Sequence, residues 1–116
     1  MSEAATVALF SYGTLRQPEV QIANYGRLLD GGPDALIGYR LKPVEIADPE
    51  VVRISGKSVH TIAVTSGGPD DRIPGLLFML TEAELAATDA YESGAYARIQ
   101  VTLESGRSAW VYAAAL

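Results

Sequence analysis

The chain has 116 residues, 48% of them hydrophobic, with 14 acidic against 9 basic side chains and a net charge of -5. A chain of this size buries roughly two-thirds of the surface its unfolded form exposes, enough for one unaided core and a single domain over residues 1–116. The acidic balance argues against nucleic acid or anionic membrane as a partner, and the lack of cysteine excludes disulfides and thiolate chemistry.

The start, MSEAATVALFSYG, has no basic n-region and no long apolar h-region, so no signal peptide is expected. No apolar stretch approaches the roughly 18 to 20 residues of a spanning helix. The expected location is the cytoplasm, in keeping with a cysteine-free chain.

Thr6 to Ser11, TVALFS, is short, apolar and partly β-branched, which predicts a buried first strand. It stops at Tyr12-Gly13-Thr14-Leu15, with a glycine where the chain should still be extended. From Pro18, PEVQIANYGRLL suits a helix. Proline fits its first turn, Glu19 sits near the positive end, and Val20, Ala23 and Leu28 are expected to share a face. The glycines and proline of DGGPD are expected to end it. Ala35 to Ile46 reads as one long or two short strands around Pro43, part of it at an edge. ADPE reads as a turn, and Val51 to Thr65 as a hairpin across Gly56-Lys57. Ser66 to Asp71, SGGPDD, is the most loop-like segment, and Ile73 to Leu80 is another buried strand.

Thr81-x-x-Glu84 is a capping box, with Leu80 and Leu85 as the matching hydrophobic staple. The helix runs to about Glu92, and Gly94 is placed to end it. AYARIQVTLE and RSAWVYAA are strands joined at Ser105-Gly106. Strands outnumber helices about three to one, so the class is α+β with a mixed, barrel-like sheet.

Glu92 follows Leu85 by seven residues, almost two turns, and so lies on nearly the same helix face. Helical geometry leaves two readings open. The carboxylate sits in water at a frayed last turn, or it is held against the core with a raised pKa, as suits a base. The glycine turn has two readings as well, a simple chain reversal or a set of backbone N–H groups that hold an anion.

His60, the only histidine, lacks partners at metal-ligand spacing. Asp89, one turn before Glu92, reads as hydrogen-bonded scaffolding or as a charge that tunes Glu92. Strand alternation sends Tyr39 and Arg40 to opposite faces, while Trp110 and Tyr112 share one. Ser11, Thr14 and Ser93 show no His–Asp arrangement, which makes a serine hydrolase a poor fit.

Taken together, YGTL near the start and PG.LF.LTEAEL...DAYE...Y.R..V.L.SG...WVY later resemble the γ-glutamylcyclotransferase-like superfamily, within it the small AIG2-like members. The resemblance runs from Phe10 to Tyr112. It implies a small mixed β-barrel with a few packed helices. It also implies a glycine turn at Tyr12, Gly13, Thr14 and Leu15 that contacts a γ-glutamyl moiety through backbone amides. Glu92 corresponds to the family's general acid/base, with Asp89, Tyr96 and Arg98 around it; Tyr96 and Arg98 are expected at the substrate. Where the family usually has glycine directly after the glutamate, this chain has Ser93 and then Gly94.

The implied reaction converts a γ-glutamyl amine to 5-oxoproline and a free amine. The substrate supplies its own nucleophile, so a single carboxylate suffices for the proton transfers, and no metal or cofactor is called for. The expected partner is therefore a small molecule. Two other readings stay open: a non-catalytic module that keeps the cavity for a small acidic ligand or peptide, and hydrolysis or amide transfer using water or an external amine. A Glu92 turned to solvent would remove the enzymatic reading.

Overall fold

The computed structural model of the chain describes residues 4–92 and 94–114. Ser93, at which the sequence departs from the family pattern, lies outside the described residues. In chain order the elements are β1 (Val7–Ser11), a short 3-10 turn (Thr14–Arg16), α1 (Pro18–Tyr25), β2 (Gly31–Ile37), β3 (Tyr39–Glu45), α2 (Pro49–Ser55), β4 (Val59–Thr65), β5 (Arg72–Leu80), α3 (Glu82–Tyr91), β6 (Tyr96–Thr102) and β7 (Ser108–Ala114).

The first strand is apolar from Val7 to Phe10 because it is central. The larger sheet has the order β2-β5-β1-β7-β6. Within it β1 runs antiparallel to β5, from Val7 opposite Leu80 to Ser11 opposite Leu76, and parallel to β7 at Leu9 and Trp110. Both faces of β1 are covered. Val7 and Leu9 pack with Val20 of α1, Val51 of α2 and Leu85 of α3, while Phe10 packs on the other side with Leu36, Ala63, Leu77 and Val111. A strand buried on both faces needs no alternation.

The sheet is mixed, as expected, but it does not close into a barrel. β3 and β4 pair only with each other, as a separate antiparallel ribbon from Tyr39–Thr65 to Glu45–Val59. The physical cause is Gly38, whose φ of +84° turns the chain out of β2 before β3 begins. Two strands therefore meet at Gly38, and Pro43 lies inside β3, which pairs on one side only, so its missing N–H costs no ladder bond.

The expected hairpin from Val51 to Thr65 is not formed; its first half is helix α2. Asp48 accepts a hydrogen bond from the Glu50 N–H at 2.9 Å, Pro49 fills the first helical position, and Gly56 closes the helix with φ +73°. Asp-Pro-Glu is thus a helix start, not a turn, and these caps outweigh the β preference of Val51 and Val52.

Helix α1 ends earlier than expected, at the left-handed Gly26. Gly31 to Asp34 then pair with Phe78 to Gly75 as part of β2. Of its expected apolar face only Val20 is buried; Ala23 and Leu28 are exposed, and the buried neighbour is Gln21. The Gln21 amide donates to the Leu15 carbonyl and accepts from the Leu29 N–H, each at 2.9 Å, which satisfies a buried polar side chain.

Helix α3 carries both bonds of the capping box. Leu80 and Leu85 join the same apolar cluster, as a staple requires. Strands β6 and β7 pair along their full length, Tyr96 with Ala114 through Thr102 with Ser108. Seven strands and three α-helices among the described residues make the protein α+β.

Candidate active site

The chain leaves β1 at Ser11 and turns at once into the 3-10 turn. Gly13 has φ -122°, so it needs no left-handed backbone, and a Cβ there would meet no atom within 4 Å. Its role is to leave space, not to permit an unusual conformation. The need for a small residue lies across the sheet at Gly75, where a Cβ would come within 2.3 Å of the Ser11 carbonyl oxygen.

Long-range hydrogen bonds fix the turn. The Tyr12 hydroxyl donates to the Tyr112 carbonyl at 2.6 Å and accepts from the Ala63 N–H at 2.9 Å, joining the large sheet to the β3–β4 ribbon. The hydroxyls of Thr14 and Tyr91 lie 2.7 Å apart. The Gln17 amide nitrogen donates to the Ser55 carbonyl at 3.0 Å, tying the start of α1 to the end of α2.

Glu92 is the residue that caps α3. It is 9% exposed, and among the described residues no hydrogen bond or ion pair reaches its carboxylate. Burial raises its pKa from 4.5 to about 7. Asp89 does not cause this shift. The negative charge of Glu92 adds in turn to the burial that keeps Tyr12 and Tyr96 neutral.

Glu92 and the segment from Tyr12 to Leu15 line one cavity of about 480 Å³, together with Arg16, Lys57, His60 and Tyr96. Tyr96 is held there by its hydroxyl, which donates to the Thr61 carbonyl at 2.7 Å. Of the seven positions expected at the site, the fold brings six to this cavity. The exception is Arg98, which does not line it. Its Nε donates to Asp89 at 2.7 Å, and its guanidinium lies 4.2 Å from the centre of the Trp110 ring. Asp89 also accepts from the Tyr112 hydroxyl at 2.6 Å, so it holds α3 against β6 and β7 as scaffolding.

His60 is a part of the site that sequence reasoning did not reach. It is 7% exposed and lines the cavity, with Nε2 3.0 Å from Ser55 Oγ and 3.1 Å from the Lys57 carbonyl. Burial lowers its pKa, which favours the neutral ring. Its only sequence signal was its isolation. Reading Asp48-Pro49-Glu50 as a helix start would have placed Ser55 at the end of that helix, beside it.

A buried carboxylate with a pKa near 7, in no ion pair among the described residues, is suited to taking and returning a proton. The neighbouring turn offers backbone N–H groups at its 3-10 start, where no intrahelical acceptor exists.

The family model for gamma-glutamyl cyclotransferase, AIG2-like, matches residues 9–116. No curated protein sequence matches the chain. Among solved structures, it is similar to an Arabidopsis thaliana protein determined in solution, with 19% identity and a TM-score of 0.72 over 97% of this chain and 71% of that one. A protein named gamma-glutamyl cyclotransferase is 16% identical, with a TM-score of 0.70 over 94% of this chain and 66% of its own. An uncharacterized protein from Homo sapiens is 17% identical, with a TM-score of 0.72 over 97% of this chain and 69% of that one. At these identities the likeness is one of fold, and the present chain spans about two-thirds of each relative.

Proposed function

The chain belongs to the gamma-glutamyl cyclotransferase, AIG2-like family, and from that premise we propose that it converts a γ-glutamyl amine to 5-oxoproline and a free amine, with Glu92 as general acid/base. The observation that carries this reading is a buried carboxylate, with no partner among the described residues, that lines the same cavity as the Tyr12–Leu15 turn.

The substrate binds with its γ-glutamyl half against the turn. Backbone N–H groups and the cations Arg16 and Lys57 favour its α-carboxylate, and the open space beside Gly13 leaves room for it. Glu92 takes a proton from the α-ammonium. With its pKa raised to about 7, Glu92 is a better match for an α-ammonium, which is a weak acid, than a carboxylate at its ordinary 4.5 would be. The freed amine attacks the γ-carbonyl and closes a five-membered ring, the negative charge passing to the carbonyl oxygen. As the C–N bond to the leaving amine breaks, Glu92 returns that proton to its nitrogen; the ring nitrogen, still carrying one proton too many, then gives it through Glu92 to the freed amine, so that a neutral lactam N–H and an ammonium product remain. The protein's largest contribution is to hold the chain folded for intramolecular attack. Tyr12 and Tyr96 act through position, since both hydroxyls are committed to backbone groups.

The test is release of 5-oxoproline from a panel of γ-glutamyl amino acids, γ-glutamyl-ε-lysine and glutathione, beside Glu92→Gln. Product that disappears in the variant supports both the reaction and the base. No product from any substrate, with the protein folded, would overturn the reading in favour of a binding module.

A further inference from the structure

Hydrogen bonds from two buried side chains converge on the backbone of one exposed residue, Lys57. Ser55, at the end of α2, is 5% exposed, and His60, on β4, is 7% exposed. Lys57 follows Gly56, whose left-handed backbone ends α2 and turns the chain toward β4. The Ser55 hydroxyl lies 2.8 Å from the Val51 carbonyl and 3.2 Å from that of Lys57, so its one proton goes to Val51. It then accepts from the Lys57 N–H at 3.2 Å. His60 Nε2 stands 3.1 Å from the Lys57 carbonyl, which can only accept, so Nε2 carries the proton. The same N–H reaches Ser55 Oγ at 3.0 Å and fills the remaining lone pair of that hydroxyl. Both polar groups of the Lys57 backbone are thus held, the N–H by Ser55 and the carbonyl by His60.

Buried polar groups are costly unless each is bonded, and here the bonds end on a residue at the surface. What distinguishes Lys57 is its place on the substrate cavity. It and Arg16 are the lysine and arginine among the described lining residues. Arg16 is tethered to the glycine turn itself, with Nε 3.1 Å from the Gly13 carbonyl. The Lys57 charge lies close to the His60 ring: after burial, it lowers the pKa of His60, against the raising effect of the carbonyl bond. A lysine side chain is a point charge on a flexible stem, so fixing its backbone limits the directions from which the ammonium approaches a ligand.

We propose that Ser55 and His60 are positioning residues, which hold Lys57 so that its ammonium recognises the α-carboxylate of the γ-glutamyl group. The inference rests on the reading of this cavity as a γ-glutamyl site. Neither side chain needs to touch the substrate, since both act through the Lys57 backbone.

5-Oxoproline keeps the α-carboxylate after the ring has closed, and its carboxamide lacks the charge. Calorimetric binding of the two therefore reads this contact apart from turnover. The expected preference for the carboxylate is about tenfold at low ionic strength, shrinking as salt is added. Lys57→Gln should reduce it to about threefold, the part left to Arg16 and the backbone N–H groups. Ser55→Ala and His60→Asn should reduce it as far, although Lys57 is still present. His60→Gln should restore most of it, because glutamine carries an amide N–H at the reach of Nε2 and asparagine stops short. Thermal melts of each variant show that folded proteins are being compared. Where Ser55→Ala does not fold, the two His60 variants decide the matter. An unchanged preference in Lys57→Gln, or no binding of 5-oxoproline, would overturn the carboxylate contact. A loss in Lys57→Gln alone, or a His60→Gln as weak as His60→Asn, would overturn the positioning role. Binding in the expected order, with no 5-oxoproline released from any γ-glutamyl amine, supports the clamp and removes the acid/base reading instead.

Discussion

The hydroxyls of Thr14 and Tyr91 meet at 2.7 Å, joining the turn after β1 to the last residue of α3, directly before Glu92. This bond ties the Tyr12–Leu15 turn to the end of α3, next to Glu92. Tyr91→Phe should leave the buried Thr14 hydroxyl without its partner and cost about 1–3 kcal/mol of stability. Cyclisation should slow while the pH at which activity appears stays in place, because the burial of Glu92 is kept. Thermal melts and a pH–rate profile of the variant check both parts.

Activity should rise with pH through about 7, where Glu92 loses its proton and becomes a base. In Glu92→Gln this limb should vanish along with about 10²–10⁴-fold of the rate. A kcat/KM profile between pH 5 and 9 measures it, and an acid limb near 4.5 would contradict the burial of this carboxyl.

The same group makes stability depend on pH. Its folded pKa lies above its unfolded one, so the folded state binds more protons between 4.5 and about 7, and stability falls as pH rises through that window. The difference corresponds to about 3 kcal/mol, absent below the window and fully felt above it. Glu92→Gln should therefore melt close to the parent at pH 4 and higher than it at pH 8. Paired calorimetric scans at the two pH values provide the comparison.

Tyr12→Phe removes a phenol hydroxyl that bonds both the Tyr112 carbonyl and the Ala63 N–H. The expected loss is about 2 kcal/mol, since two buried backbone groups are orphaned together. Hydrogen exchange at the Ala63 amide should quicken more than at neighbouring β4 amides. Uniform protection would show that the hydroxyl does not join the sheet to the ribbon.

Gly13 and Gly75 should respond in opposite ways to alanine. At Gly13 the methyl group meets open space beside the cavity, so melting should change little while KM rises. At Gly75 it meets the Ser11 carbonyl and the Phe10 ring, and strain of about 1–3 kcal/mol should appear as a lower melting temperature. Steady-state kinetics and melts on both variants separate a ligand-space glycine from a packing glycine.

Features that depend on neighbours three or four residues away were legible in the sequence. They include the Thr81–Glu84 capping box, the turn at Ser105-Gly106 and the apolar run of β1. Local signals, not tertiary ones, also decide α2, since Asp48-Pro49-Glu50 and Gly56 are caps that outweigh the β preference of Val51 and Val52. The register of Glu92 on α3 was readable too, but not its environment. Its pKa is set by burial, and the bonds that shape its surroundings join residues 77 and 100 positions apart. Only tertiary structure could choose the buried carboxylate over the solvated one, place His60 on the cavity wall, and commit Arg98 to Asp89. Helix and turn signals are short-range because backbone geometry is; desolvation and charge pairing follow from which distant segments fold together.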